Sequence, residues 1–225
     1  MARPLKLYNY ARAPNPRRVR IFAAEKGIEL SLEEVDILAG QSRTPEFLAK
    51  NSSGAVPVLE LDDGSYLSES VAICRYMEGL QPEPNLLGRD LREQAEIERW
   101  NRRMELELFA PIARTLQNTN PIFQRRFKQF PEYGEAQRAV VYQRLERMDN
   151  ELDGREFIVS DRFTIADITA LVAIDFGSRL ADIQIAPSLA HLTRWHEMVS
   201  KRASVKAGHA QTVALAQQAS RGNSI

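Results

Sequence analysis

The segment Ser68-Glu69-Ser70 sets two hydroxyls and a carboxylate where a turn-rich stretch gives way to an apolar helical pattern. The free N–H groups of a helix first turn bind carboxylates, and the Ser70 hydroxyl adds a donor. Glu69 beside them accepts an ammonium. A place that grips both a carboxylate and an ammonium suits an α-amino-acid head group. The same residues also make a plain helix cap, with Ser68 in the capping position. Val56-Pro57 is the second such place. Proline within a strand run is tolerated on an edge strand, so Pro57 is expected to begin one. A cis bond there would turn the N–H and C=O of Val56 outward, ready to pair with an extended peptide. An ordinary trans edge proline is the alternative. Arg12, Arg17, Arg18 and Arg20 crowd the start of the first helix, where the helix dipole favours acids. They form either an anion site or a solvated face.

Other chemistries fail on residue type and spacing. His191, His196 and His209 show no i, i+4 pair with a nearby acid, so no metal is expected. No Gly-rich loop joins a strand to a helix. Cys74, flanked by Ala72, Ile73 and Tyr76, is expected to be a buried inert thiol. One cysteine also excludes an intrachain disulfide framework. The 225 residues include 30 Lys and Arg against 30 Asp and Glu, a zero net charge that argues against nucleic acid as partner. At 44% hydrophobic and 27% charged, the chain is well clear of the disordered class. No apolar run approaches the ~18 residues of a membrane span, and Met1-Ala2-Arg3-Pro4-Leu5-Lys6 lacks the apolar stretch expected of a signal peptide. A cytoplasmic protein is expected.

The elements that must position these residues fall into two groups. Leu5 to Tyr10 reads as a strand, and Val19, Phe22, Ala23 and Lys26 as a helix stopped by Gly27. Glu29 to Val35 reads as a second strand and Pro45 to Lys50 as a short helix. Val56 to Leu61 and Ser65 to Leu67 flank Asp63-Gly64, which favours a type I′ hairpin. A helix with Val71, Ile73, Cys74, Tyr76 and Met77 follows. This is an α/β unit with a mixed sheet over residues 1–80. Residues 81–88, with Pro82 and Pro84, read as a linker. Residues 89–225 read as all-helical. Leu91, Ala95, Trp100, Met104 and Leu108 step down one face of a long helix, which Pro111 should kink or end. Further helices are expected at Ala136 to Leu152, Ile165 to Leu180, Leu189 to Ser200 and beyond Ala203. Thr164 and Asp167 have the spacing of a capping box, with Phe163 and Ile168 as its staple and no catalytic role for Asp167.

Taken together these segments resemble the glutathione S-transferase superfamily. The likeness rests on Leu7-Tyr8-Asn9-Tyr10, Ala13-Pro14-Asn15 with Arg18-Val19, Glu25-Lys26-Gly27-Ile28 and Pro45-Glu46-Phe47-Leu48. It continues through Gly54 to Leu59, Ser68 to Ile73 and Phe163-Thr164-Ile165-Ala166-Asp167, in order along nearly the whole chain. The resemblance implies a thioredoxin-like N-terminal domain, an all-α C-terminal domain, a homodimer, and glutathione as cosubstrate. It implies that Val56, before a cis Pro57, pairs its backbone with the cysteinyl part of glutathione. It implies that Glu69 and Ser70 hold the γ-glutamyl head, and that the turn from Ala11 to Asn15, with Ala13, faces the sulfur. Gln41, Ser42 and Lys50 are candidates for the glycyl end. The electrophile pocket in such proteins lies between that turn and the helices near Arg103, Glu107 and Phe109.

One departure bears on the chemistry. Ala13 stands where many bacterial relatives have a serine or cysteine, so the usual hydroxyl or thiol is missing. Asn15 becomes the candidate catalytic donor, with Tyr10 the next residue to test. The leading expectation is a glutathione transferase that activates the thiol for attack on a small hydrophobic electrophile. A glutathione-dependent disulfide reductase and a non-catalytic glutathione-binding module are the alternatives, and the missing hydroxyl favours the module.

Overall fold

The computed structural model describes residues 4–126, 128–159 and 161–208. The chain divides into two compact units, Leu86–Lys201 and the remainder, in which the residues from Arg202 group with Met1–Asn85. A sequence division at 80 and 89 leaves that C-terminal segment with the helical half. In the structure residues 203–208 are helical. They are tied to the first unit by an ion pair between Arg202 and Glu25 and by the Gly208 carbonyl, which accepts from Arg20 Nε at 3.4 Å. The rest of the expected terminal helix, and His209, lie outside the described residues.

The first unit is an α/β thioredoxin-like domain with a mixed four-stranded sheet in the order β2-β1-β3-β4. Its strands are β1 (Leu5–Asn9), β2 (Leu30–Glu34), β3 (Val58–Glu60) and β4 (Tyr66–Ser68). β1 runs parallel to β2, with Leu7 opposite Leu32, and antiparallel to β3, with Leu7 opposite Leu59. The period-2 alternation of β1 and β3 divides the core. Leu7 and Leu59, with Phe22, Ile73, Cys74 and Met77, are wholly buried. Tyr8 and Val58, one residue on or back, instead join Val35, Phe47 and Val56 in a separate cluster. Burial of each such side chain stabilises by about 1.5–3 kcal/mol. Helices α1 (Pro14–Glu25) and α3 (Ser70–Leu80) flank the short α2 (Pro45–Leu48) in sequence.

Three local expectations are corrected here. β3 is an interior strand, paired to β1 on one side and β4 on the other, because the hairpin lays β4 outside it. Pro57 precedes its first residue, so the ladder never asks for the missing N–H, and the Val56-Pro57 bond is cis. The hairpin is not type I′, which needs positive φ at two residues; only Gly64 has it, at 80°. The Gly64 N–H donates to Leu61 O at 3.0 Å, while Asp63 accepts from Ser65 N and Oγ at 2.9 and 2.6 Å. The N-cap of α3 is Glu69, not Ser68.

The first part of the stretch read as a linker is held within the first unit. Lys26 Nζ, buried at the end of α1, donates to the carbonyls of Gln81 (2.7 Å), Pro82 (3.1 Å) and Pro84 (2.7 Å) and pairs with Glu78. An ammonium has three donors and no acceptor, so one lysine can anchor several carbonyls at once.

The second unit is all-helical: α4 (Leu91–Arg103), α5 (Ala110–Thr119), α6 (Pro131–Glu151), α7 (Ile165–Ala181) and α8 (Ala190–Ser200). The buried face of α4 carries Ile97, Trp100 and Asn101, with Met104 and Leu108 beyond it, while Leu91 and Ala95 are exposed. The apolar stripe thus begins nearly two turns later than expected, at Ile97. Asp90, the N-cap, accepts from Glu93 N at 2.9 Å, and Glu93 in turn accepts from Arg89 N, one residue before the cap, at 2.8 Å. Pro111 does not end the helix. A π-helical segment, Met104–Phe109, intervenes, and Pro111 falls in the first turn of α5, where no N–H is needed. The expected box at Thr164 and Asp167 forms at the start of α7. Asp167 is wholly buried and accepts from Thr164 N (2.9 Å), Thr164 Oγ1 (3.1 Å), Ile158 N (3.0 Å) and Trp195 Nε1 (2.9 Å). Burial pushes its carboxyl up, and the four donors oppose the shift.

Candidate functional site

The turn after β1 is braced from beneath. Asn9, the buried last residue of β1, donates from Nδ2 to Glu34 Oε2 at 2.7 Å, and the Ala11 N–H donates to Glu34 Oε1 at 2.7 Å. Arg20, 1% exposed, donates to Asn9 Oδ1 and, at 3.1 Å, to Ala11 O. Burial, with Arg17 nearby, lowers the Arg20 guanidinium to about 10, and Glu34 opposes this. The Ala13 N–H closes the turn onto Tyr10 O at 3.0 Å. Ala13 is also the N-cap of α1 and makes no side-chain cap bond. Its backbone N–H is therefore engaged, and Pro14 has none. Asn15, the second residue of α1, carries a first-turn N–H that the helix itself leaves without a partner.

Asn15 and Ser70 meet through a third residue. Arg18, 1% exposed, donates from Nη1 to Ser70 Oγ at 2.6 Å and to Asn15 Oδ1 at 3.4 Å. Neither an anion site nor a solvated face therefore describes the arginine cluster as a whole. Arg18 and Arg20 are buried within the fold, whereas Arg12 is exposed and Arg17 half-buried. The signal was present: basic residues interleaved with Val19 and Phe22, with no acid in the first turn of α1. Nothing in the chain order pointed to Asn9, Glu34 or Ser70 as their partners.

Glu69 stands at the entrance of α3 with φ 68° and ψ 111°, and its exposed side chain makes no cap bond. Its carbonyl accepts from Ile73 N at 2.9 Å. A non-glycine residue in such a conformation costs about 1–3 kcal/mol. Ser70, which follows, is 5% exposed. Val56 is 9% exposed and is presented by a self-bonded loop. There Asn51 Nδ2 donates to Ala55 O at 2.9 Å, and Asn51 Oδ1 accepts from Ser53 N and Oγ at 3.2 and 3.0 Å. Gly54, at φ 61°, closes this loop so tightly that a Cβ would lie 2.7 Å from Ser42 O. Gly54→Ala is expected to destabilise the protein by about 1–3 kcal/mol and to disturb Val56 two residues on. A melting temperature within a degree of wild type would contradict this.

Gln41 and Lys50 have partners of their own within the fold. Gln41 is exposed, and its side-chain oxygen accepts from Asp36 N at 2.7 Å, closing the loop after β2. Lys50 donates to the Tyr66 hydroxyl at 3.3 Å, and its Nζ stands 5.4 Å over the Tyr8 ring. Tyr10 packs against the Tyr8, Val35, Phe47, Val56 and Val58 cluster. The Tyr8 hydroxyl donates to Glu60 at 2.8 Å. Cys74 is fully buried, as its apolar neighbours predicted. His196 faces Asp175 at 2.8 Å, and among the described residues no cluster of His, Cys, Asp or Glu is arranged to hold a metal ion. No helix among them is long and apolar enough to cross a membrane.

Comparison with known proteins places the fold. Residues 13–80 match the family model of the glutathione S-transferase N-terminal domain, and residues 109–203 that of its C-terminal domain. Glutathione S-transferase 2 of Saccharomyces cerevisiae is 34% identical over 210 residues, covering 92% of this chain and 90% of that one. The crystal structure of Gtt2 from the same yeast superposes with a TM-score of 0.85 at 33% identity, covering 90% of this chain and 99% of that one. A glutathione S-transferase domain-containing protein of Marinobacter aquaeolei gives 0.83 at 35% identity, covering 89% and 99%. A shared sequence and fold over nine-tenths of the length leave one assignment: the chain belongs to the glutathione S-transferase family.

Proposed function

We propose that the protein binds glutathione at the start of α3 and activates its thiol for attack on a small electrophile. The observation that carries this is the Ser70 hydroxyl at the first turn of α3, with Arg18 on its oxygen at 2.6 Å. With a cation on its lone pair, the hydroxyl has its own hydrogen to give to a carboxylate. The first-turn N–H groups of α3 add to that pull, and Glu69 is placed to accept the ammonium of the same γ-glutamyl head. The Val56 backbone takes the cysteinyl amide. Ala13 and Pro57 line the site, and Asn15 donates to the sulfur. Gln41 and Lys50 are kept for the glycyl carboxylate. We propose a cytoplasmic homodimer as its setting.

The energetics are adequate without a hydroxyl at position 13. A free thiol titrates near 8.5, so a thiolate at neutral pH needs a fall of one to two units, about 1.4–2.7 kcal/mol. A hydrogen bond to a charged group contributes roughly 1.5–3 kcal/mol. The sulfur then forms a bond to an electrophilic carbon, whose leaving group departs with the electron pair.

Titration with glutathione, followed by conjugation of an aryl halide and reduction of a small disulfide, tests this reading. Conjugation is expected to be slow and disulfide reduction measurable, since partial ionisation suffices when the thiol pKa lies near ambient pH. Binding with neither activity would favour a non-catalytic module. Asn15→Ala should lower activity about tenfold or more. Ala13→Ser should raise conjugation. Because position 13 is the N-cap of α1, the same change should also stabilise the fold by about 0.5–1 kcal/mol.

A further inference from the structure

We propose that the connection between α5 and α6 docks on the anionic surface of a lipid bilayer. Ile122, Phe130 and Tyr133 are its apolar anchors, and Arg125, Arg126 and Lys128 contact the headgroup phosphates. Such a surface would exist whether or not the protein turns over glutathione.

Large apolar side chains exposed singly on a surface are ordinary, but these lie within one short stretch. Ile122, Phe130 and Tyr133 are 46%, 54% and 46% exposed. Amide side chains pin the backbone that carries them. Asn120 accepts from Ile122 N at 3.0 Å and donates to Leu180 O at 2.8 Å. Gln129 donates to Gln117 O at 2.9 Å and to Asn120 O at 2.8 Å, and Asn118 accepts from Phe130 N at 3.0 Å. A Cβ on Gly134, at the start of α6, would lie 2.6 Å from Thr119 Cγ2 at the end of α5. Both ends of the connection are therefore held, while its apolar side chains stay exposed.

The charge among these anchors is mainly positive. Residues 121–133 carry Arg125, Arg126 and Lys128 against Glu132, in a chain that is neutral as a whole. All three cations are exposed, and none makes an ion pair among the described residues. Arg99 and Arg102 on α4, by contrast, are paired with Glu96 and Glu105. Lys128 Nζ stands 5.3 Å over the Phe130 ring, which joins a cation to an apolar anchor. At a bilayer surface aromatic rings settle at headgroup depth, and basic side chains beside them meet lipid phosphates. Few cations or few apolar groups bind weakly alone; together they select an anionic surface, such as the cytoplasmic leaflet. An acidic peptide would satisfy the cations and leave the apolar side chains in water.

The test is sedimentation of the full chain with phosphatidylcholine vesicles, with and without one-third phosphatidylserine, at low and raised salt. Wild type is expected to prefer the phosphatidylserine vesicles by about tenfold or more, and to lose most of that preference as salt rises. Each basic side chain near such a surface contributes about fivefold, so Arg125→Gln with Arg126→Gln should weaken binding about 25-fold. Phe130→Ser should weaken it about tenfold. Arg99→Gln, at an ion-paired arginine, should leave it within about twofold. All these positions are exposed, so melting temperatures near wild type are expected. Wild type that ignores both vesicles overturns the proposal, as does Phe130→Ser binding as tightly as wild type. An equal loss in Arg99→Gln would reveal diffuse charge attraction and overturn it too. Binding to polyglutamate but not to vesicles would make the partner an acidic protein segment and remove the lipid assignment.

Discussion

Replacing Asp167 by alanine is expected to destabilise the protein by about 3–5 kcal/mol, more than a helix cap alone accounts for. A cap typically contributes about 1 kcal/mol, and the sequence spacing of Thr164 and Asp167 promised no more. The structure adds three facts. The carboxylate is wholly buried, it accepts four hydrogen bonds, and one of them comes from Trp195 on α8. Truncation would leave the N–H groups of Thr164 and Ile158 and the Trp195 indole in an apolar interior without an acceptor. Each orphaned donor costs about 1–3 kcal/mol. For a chain of this size each kcal/mol lowers the melting temperature by roughly 2–4 °C, so a fall of about 6–20 °C is expected. Asp167→Asn should recover only part of it, because its NH₂ would face donors. Glutathione affinity of the folded fraction should stay near wild type. A fall of a degree or two in thermal denaturation would show that these hydrogen bonds carry little net stability.

Glu69→Gln is expected to weaken glutathione binding by about 1.5–3 kcal/mol, roughly 10- to 150-fold, with the fold unharmed. Because Glu69 is exposed in the free protein, part of the attraction to an ammonium is screened, which holds the effect below that of a buried pair. The backbone at this residue allows a sharper test. A φ of 68° strains any side-chain-bearing residue, so Glu69→Gly should raise the melting temperature while losing at least as much affinity. Stability up and binding down in one variant would mark strain retained for a ligand contact. Calorimetric titration that finds Glu69→Gln and Glu69→Gly binding as tightly as wild type would remove the carboxylate from the site.

The periodic segments were legible in the chain order because their signals are local. The period-2 run of β1, the 3.6-residue pattern of α1 ending at Gly27, and the Thr164–Asp167 spacing each depend on residues within a few positions. The site was half legible for the same reason. Ser70 at a helix start and Val56 before a proline are local features. Arg18 and Arg20 were legible only as charges. Both bonds that define Arg20 leave its helix, to Asn9 at the end of β1 and to Ala11 in the turn after it, and the one that defines Arg18 spans 52 positions to Ser70.

What the sequence determined by itself was the kind of each element and the chemistry of its residues. Propensity, caps and apolar spacing act at short range and are written in consecutive residues. Only the tertiary structure decided which element lies beside which. It placed β3 inside the sheet rather than at its edge, carried residues 202–208 back to the first unit, and ran the helix on past Pro111 through a π-helical segment. It also made an interior brace of Arg18 and Arg20, while Arg12 of the same cluster stays exposed. A buried charge is tolerated only where partners satisfy it, and those partners come from distant parts of the chain that folding alone brings together.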